Sequence, residues 1–139
     1  MDDGIKSVVE TSQAPQAVGA YSQAVVANGF VFLSGQVPID PATGQLVPTD
    51  DAREQAKQVM GNLAAVLKAA HVDFHHVVKA TIFLADIADF KAVNEVYAAY
   101  FKTGVKPARA AFQVGALPLG ARVEIDMIAV AASGGSRPE

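Results

Sequence analysis

Hydrophobic and polar positions along the chain mark out a series of short elements joined by turns. Two short apolar runs, residues 22–28 and 30–35, flank Asn28-Gly29. That dipeptide favours a tight hairpin turn because both of its positions tolerate positive φ. Residues 38–48 are rich in Pro, Asp, Thr and Gly, and they are predicted to form a loop with several turns.

A long first helix is predicted from apolar residues at three- and four-residue spacing. Asp51 followed by Glu54 resembles a capping box and marks its start, and the helix is expected to end near His71. The apolar stripe of this helix consists of Ala52, Ala56, Val59, Met60, Leu63, Val66, Leu67 and Ala70.

A second helix is predicted after Asp86 and Asp89, which are both good capping residues. Gly104 is expected to stop it, and Pro107 confirms the break. The inner face of this helix is predicted to hold Phe90, Val93, Tyr97 and Phe101.

Three more strands complete the pattern, at residues 77–85, 110–114 and 123–130. The first of them is a nearly unbroken apolar run that is rich in β-branched residues, as a central strand is. The order β-β-α-β-α-β-β predicts an α+β domain in which two helices pack on one face of a mixed β-sheet. The opposite face of that sheet is then bare, and copies of the chain are expected to bury it.

The length of 139 residues fits one domain. We expect residues 14–132 to form it, after an irregular segment at 1–13 and before a flexible tail at 133–139. Hydrophobic residues make up 51% of the chain, which is high for a globular protein. This surplus favours an oligomer, because apolar surface is often used in subunit contacts.

Charge and composition count against several functions. The net charge is −3 and the eleven Lys and Arg residues are scattered, whereas nucleic-acid binding needs a clustered basic face. No run reaches membrane-spanning length. The absence of cysteine excludes disulfides and thiolate chemistry. The acidic, polar start is unlike a signal peptide, so a cytoplasmic location is expected.

Two charged residues in the last two predicted strands suggest chemistry. Arg109 begins one apolar segment and Glu124 lies in the next. Arginine is well shaped to hold a carboxylate with two parallel hydrogen bonds, and a carboxylate can position or activate water. The pair suggests a site that holds a small organic acid and hydrolyses a group attached to it. For Arg109 the alternative is a surface or interface salt bridge.

Strand alternation places Glu124 and Asp126 on one face, where their repulsion would raise one pKa. The alternative is that both face solvent or pair with lysines. A simple hairpin centred on Pro118 would put Arg109 beside residue 128, roughly 13–16 Å along the strand from Glu124. A shared site therefore requires another strand arrangement or a neighbouring subunit.

Metal and cofactor sites are not expected. His71, His75 and His76 lie close together in the sequence, but a metal site would want a further ligand and inward-facing side chains. The chain also lacks a phosphate-binding loop and a dinucleotide fingerprint.

Several motifs resemble those of the RidA/YjgF family, the reactive intermediate (enamine/imine) deaminases, in order and spacing. They are Gly19-Ala20-Tyr21-Ser22-Gln23-Ala24, Ser34-Gly35-Gln36, Pro107-Ala108-Arg109, Leu117-Pro118 and Val123-Glu124-Ile125. The second helix, from Asp89 to Phe101, also resembles that of the family.

The resemblance implies a chorismate-mutase-like α+β fold, assembled as a homotrimer with three clefts between subunits. It implies hydrolysis of 2-aminoacrylate and related 2-imino acids to 2-keto acids and ammonia, without a cofactor. Such compounds are released by pyridoxal-phosphate enzymes that act on serine and threonine.

By the same resemblance, Arg109 holds the substrate carboxylate and Glu124 positions the attacking water. The implied substrate-binding residues are Tyr21, Gly35, Asn94 and Ala111. Ala111 stands where many members carry cysteine, which leaves the backbone N–H for binding. The alternative role for Tyr21 is packing. The alternative for Gly35 is that it only forms a bulge or ends the strand.

Three other functions stay open. One is a regulatory trimer that binds keto or imino acids through Arg109 without turnover. Another is the ribonuclease or translation-inhibitor activity attributed to some relatives, against which the acidic net charge counts. The last is a specialised deaminase of a larger substrate, with Phe112 shaping the choice.

Overall fold

The computed structural model describes residues 1–132, so the predicted tail at 133–139 lies outside the described residues. Two helices, α1 (Ala52–Ala69) and α2 (Phe90–Ala98), pack on one face of a six-stranded sheet of order β1-β2-β3-β8-β6-β7. The strands are β1 (Ser7–Val9), β2 (Ala24–Ala27), β3 (Phe30–Gln36), β4 (Ile39–Asp40), β5 (Gln45–Leu46), β6 (Val77–Leu84), β7 (Ala108–Gln113) and β8 (Val123–Val130). The predicted α+β class with two helices on one face is confirmed.

The predicted hairpin is present between β2 and β3. Asn28 and Gly29 both have positive φ, 53° and 85°. The adjoining strands pair from Ala27 with Phe30 to Ala24 with Leu33. The two-residue turn therefore fixes the register, and that register carries Gly35 to the far end of β3.

The N-terminal segment is not wholly irregular. Ser7–Val9 pair antiparallel with β2 as an edge strand, and Val9 is buried. The prediction missed this strand because three residues between polar neighbours are too short to show a period of two. Strand β1 pairs with the edge of β2 that the β2–β3 hairpin leaves free. In the loop at 38–48, β4 and β5 pair as a small separate ribbon.

Helix α1 begins with the predicted cap but without the predicted capping box. The Asp51 carboxylate accepts a hydrogen bond from the Arg53 N–H at 2.9 Å. The N–H of Asp51, which the box would assign to Glu54, donates instead to the Thr49 hydroxyl at 3.1 Å. Glu54 is thereby released and pairs with Lys57 at 3.0 Å.

Helix α2 is shorter than predicted, because it ends at Ala98 rather than near Gly104. Phe101, expected on its inner face, follows in an irregular turn and is buried against the rings of Tyr97 and Phe74, at centroid distances of 4.7 and 5.5 Å. The Lys106 ammonium donates to the Phe101 carbonyl at 3.0 Å, which satisfies an acceptor beyond the helix.

Asp89, expected to cap α2, makes no capping hydrogen bond. Its carboxylate instead accepts from Arg122 Nε and Nη2, at 3.0 and 2.9 Å. The Arg122 N–H donates to the Gln55 side-chain oxygen at 2.8 Å. These bonds tie the start of β8 to helix α1 and to the start of helix α2, two residues before Glu124.

The last two strands do not form a hairpin. Among the described residues, strand β7 pairs only with β6, in parallel, and β8 lies between β3 and β6, antiparallel to both. The strand order therefore differs from that of the simple hairpin considered from the sequence. Arg109 pairs with Ala80, and Ala80 in turn pairs with Met127.

The core lies between the helices and one face of the sheet. Its fully buried large side chains include Val31, Val59, Met60, Leu63, Leu67, Ile82, Leu84, Val93, Val123, Ile125 and Met127. The other face of the sheet carries large apolar side chains that remain about two-fifths exposed, namely Phe30, Phe32, Phe112 and Val130. Within residues 1–132 no helix has the length and hydropathy needed to cross a membrane.

We predict that Asn62→Ala lowers the free energy of unfolding by about 2–3 kcal/mol. The buried Asn62 amide donates to the Val37 and Ile39 carbonyls at 3.3 and 2.9 Å, and these would lose their partner. Urea denaturation at fixed protein concentration measures the effect. Gln58→Ala, which removes only the partner of the Asn62 oxygen, is the control. Equal losses in both variants would contradict the prediction.

Candidate active site

The six predicted site residues fall into two groups of three. The Arg109 half-site consists of Asn94, Arg109 and Ala111 and lies where β7 meets α2. The Glu124 half-site consists of Tyr21, Gly35 and Glu124 and lies around the end of β3. The structure brings the members of each group near one another, but it does not bring the two groups together.

In the Arg109 half-site, helix α2 holds the guanidinium. Arg109 Nη1 donates to the Asn94 Oδ1 at 2.6 Å. The guanidinium carbon lies 5.3 Å from the centre of the Phe90 ring and 5.2 Å from that of Tyr97. The residue as a whole is exposed, so it combines a fixed position with access for a ligand.

A cavity of about 410 Å³ adjoins this guanidinium, lined by Asn94, Tyr97, Ala98, Phe101, Lys106, Pro107 and Arg109. Ala111 lies two residues further along β7, on the same face as Arg109, and pairs with Ile82. The small side chains at 108, 110 and 111 leave the strand uncrowded around the arginine. The half-site thus offers a cation beside a cavity of small-molecule size.

In the Glu124 half-site, the carboxylate lies on the sheet face away from the helices. Glu124 and Asp126 alternate with the buried Val123, Ile125 and Met127, as the sequence predicted. Burial raises the pKa of Glu124 above 4.5, and the neighbouring Asp126 charge adds to the effect. Burial also raises the pKa of Asp126, against the opposing influence of Thr81 and Lys79.

Gly35 sits at a bulge and makes room for Glu124. The β3–β8 register shifts between Leu33 and Gln36. A Cβ on Gly35 would overlap the Glu124 Oε2 and stand 3.0 Å from its Cδ, so the carboxylate would have to move. The bulge expected as the alternative for Gly35 is therefore present, and the side chain that approaches the glycine is that of Glu124. A contact of Gly35 with substrate stays a prediction.

Tyr21 lies near Gly35 at the mouth of a second cavity. The two residues line a space of about 260 Å³ together with Gln23, Gln36, Leu119 and other side chains. Tyr21 is half exposed, so its ring is not part of the core and the packing alternative for it is disfavoured.

The two half-sites lie on opposite faces of the sheet. Arg109 pairs with Ala80, which is buried under the helices, whereas Glu124 pairs with Phe83 on the open face. Two strand spacings and three residues separate them, roughly 14 Å between Cα atoms. One chain therefore cannot present both groups to one small molecule.

Phe112, considered for substrate choice, belongs to the Glu124 side of the sheet. Its ring packs edge-on against Phe83 at a centroid distance of 5.5 Å, and Phe83 is the strand partner of Glu124. Phe112 remains 44% exposed. It thus lies two strands away from the carboxylate, with β6 between them, on the same open face.

The contacts of Phe90 and Tyr97 with Arg109 were not predicted, because the sequence pattern assigned both rings to the core. The available signal was their spacing. Residues 90, 94 and 97 follow the i, i+4, i+7 rule for one helix face, and Asn94 on that face is polar.

Comparison with known proteins shows which family has this sequence and fold. The model of the endoribonuclease L-PSP family, also called RidA/YjgF, matches residues 11–131. A rat protein named 2-iminobutanoate/2-iminopropanoate deaminase is 55% identical over 130 residues, covering 94% of this chain and 93% of the relative.

Solved structures agree with the sequence match. The Rid-family protein YyfA of Yersinia pestis has a TM-score of 0.87 at 49% identity, covering 90% of this chain and 98% of its own. TdcF of Escherichia coli, solved with bound serine, has a TM-score of 0.84 at 38% identity, covering 91% and 99%. The class is that of small α+β proteins in which two helices pack on one face of a mixed β-sheet. The chain belongs to the RidA/YjgF family.

We predict that Glu124 titrates above 4.5 and that Asp126→Asn lowers its pKa without returning it to 4.5, because burial is the larger cause. A ¹³C NMR titration of the side-chain carboxyl measures both values. Glu54→Gln, on the helical side of the sheet, is the control and should leave the value unchanged. A Glu124 pKa at or below 4.5 would contradict the prediction.

The same shift has a stability consequence. An acid whose folded-state pKa is raised destabilises the fold when it ionises. Glu124→Gln should therefore match the wild type below about pH 4, where Glu124 is protonated in both the folded and the unfolded state. Its advantage in stability should grow as pH rises from there to the folded-state pKa and stay constant above it. Since the group is only partly buried, the difference should stay below about 1 kcal/mol.

Proposed function

We propose that this protein hydrolyses reactive 2-imino acids and their enamine tautomers, such as 2-iminopropanoate and 2-aminoacrylate, to 2-keto acids and ammonia. The observation that carries the proposal is the exposed, helix-held guanidinium of Arg109 beside a cavity of about 410 Å³. That is what a receptor for a small carboxylate requires. The names of relatives that are 50–55% identical support the same reaction.

The chemistry needs only a few groups. Arg109 holds the substrate carboxylate through two N–H groups that its bond to Asn94 leaves available. The nitrogen of the C=N bond is protonated, and a water molecule attacks C2 while Glu124 accepts one of its protons, forming a neutral tetrahedral carbinolamine. Glu124 passes that proton to the amino nitrogen, the C–N bond breaks and ammonia leaves. The proton of the carbinol hydroxyl returns to Glu124 as the keto group forms, and the departing ammonia then takes it up. The raised pKa of Glu124 suits these proton transfers, and no cofactor takes part.

We further propose that the protein acts as a homotrimer, with each site built from the Arg109 half-site of one chain and the Glu124 half-site of its neighbour. Two observations support this. The half-sites lie on opposite faces of one sheet, and the open face carries a set of partly exposed apolar side chains, as subunit interfaces do. In this arrangement Tyr21 and Gly35 line the cleft beside Glu124, and Ala111 contributes its backbone N–H beside Arg109.

A cytoplasmic location belongs to the same proposal. The resemblance implies substrates that are released by enzymes of serine and threonine breakdown. A protein that removes such short-lived products must share their compartment.

We predict that the wild type accelerates the decay of imines made by an amino-acid oxidase, with semicarbazide trapping the remainder. Arg109→Ala should lose about 100-fold or more in kcat/KM, and Glu124→Gln about 100- to 10,000-fold in kcat. Gly35→Ala should also lose activity, since its methyl group displaces the Glu124 carboxylate.

Arg53→Ala, which removes an exposed arginine paired with Glu95, should keep full activity and serves as the control. If the wild type fails to accelerate any imine while keto acids still bind through Arg109, the proposed reaction is wrong. The regulatory, non-catalytic trimer would then replace it.

Shared sites make a second prediction. Arg109→Ala and Glu124→Gln chains, each inactive alone, are refolded together at equal amounts. A site with Glu124 from the first variant and Arg109 from the second is intact, and random mixing in a ring forms it in about one quarter of interfaces. About one quarter of wild-type activity is therefore expected in the coupled assay. Sites contained within single chains would give no recovery.

A further inference from the structure

Three side chains of one helix face surround the guanidinium of Arg109. Phe90, Asn94 and Tyr97 follow i, i+4, i+7 spacing, so they are stacked along the side of α2 that faces β7. Two are aromatic rings 5.3 and 5.2 Å from the guanidinium carbon, and the third accepts a hydrogen bond of 2.6 Å. We refer to these three residues as the α2 cradle.

The α2 cradle restrains a side chain that is otherwise costly to order. A free arginine samples many rotamers, and fixing it on ligand binding costs about 2 kcal/mol. A cation over an aromatic face is attracted to the ring, and one charge-assisted hydrogen bond fixes the rotation of the guanidinium plane. Asn94 takes one N–H of five, so a carboxylate can still be bound by two of the rest.

The ring of Tyr97, rather than its hydroxyl, is the part suited to this task. Tyr97 is 5% exposed and its ring packs on Phe101 at 4.7 Å. Its hydroxyl has no hydrogen-bond partner within residues 1–132. A buried hydroxyl without a partner does not favour the fold, whereas the ring contacts both the core and the guanidinium.

We propose that the α2 cradle pre-orients Arg109 for the substrate carboxylate, which makes Phe90, Asn94 and Tyr97 positioning residues rather than substrate contacts. The inference rests on the proposed function, and it revises the role of Asn94, whose amide oxygen is occupied by Arg109. Pre-orientation strengthens carboxylate binding by lowering the ordering cost. It acts equally on ground and transition states, so it affects KM rather than kcat.

The test compares Tyr97→Leu, which removes the ring, with Tyr97→Phe, which removes only the hydroxyl. Tyr100→Leu is the matched control, because Tyr100 packs on Phe74 rather than on the guanidinium. Three quantities are measured in each folded protein: the ¹⁵Nε order parameter of Arg109, the Kd of 2-oxobutanoate as a stable carboxylate probe, and KM and kcat for imine decay.

Tyr97→Leu should lower the order parameter and raise Kd and KM about three- to tenfold, with kcat within about twofold. Tyr97→Phe should restore all of these values, and Tyr100→Leu should leave them unchanged. An unchanged order parameter in Tyr97→Leu would overturn the proposal. So would an equal weakening in Tyr97→Phe, since the hydroxyl would then be the working group.

Failure of the proposed function gives a different pattern. If the wild type does not hydrolyse imines, the order parameter and the Kd of 2-oxobutanoate still respond to Tyr97→Leu as stated, and the cradle stands. If hydrolysis is present but Arg109 is equally ordered in all variants, the function stands and the cradle is wrong.

Discussion

Parallel pairing between β6 and β7 requires a crossover connection, and α2 supplies it. The crossover places α2 over the strand that carries Arg109, where Asn94 and two aromatic rings meet the guanidinium. It also leaves the other edge of β6 free to pair with β8. Strand β8 therefore lies between β3 and β6, and its Glu124 is on the open face of the sheet. The positions of both charged groups thus follow from one strand pairing.

The two half-sites have complementary chemistry and no shared space within a chain. One holds a fixed cation beside a cavity; the other holds a carboxylate of raised pKa, set into the gap left by Gly35. The Arg122–Asp89 pair and the Gln55 contact anchor β8 just before Glu124. Neither group therefore depends on a mobile loop for its position on the sheet.

Much of the fold could be predicted from the sequence because its signals are local. The Asn28-Gly29 turn, the stripe of α1 and the alternation of Glu124 with Val123 and Ile125 each reflect a period or a backbone preference. The end of α2 could not be predicted in this way, because the burial of Phe101 and the hydrogen bond from Lys106 override the stop signal at Gly104. Strand β1 was missed because only the neighbouring edge of β2 makes it a strand. The members of the site came from the family motifs, whereas their division between two faces depends on long-range strand order, which no local pattern encodes.

The placement of Arg109 and Glu124 on opposite faces has a consequence for the life of a single chain. Under the proposed assembly, a single chain carries both groups but offers no small molecule a complete site. Catalysis is then gained by mass action, when chains meet, and not by folding alone. The concentration of the protein would then determine the fraction of chains that are active as well as their number. A chain that has not assembled would have no activity.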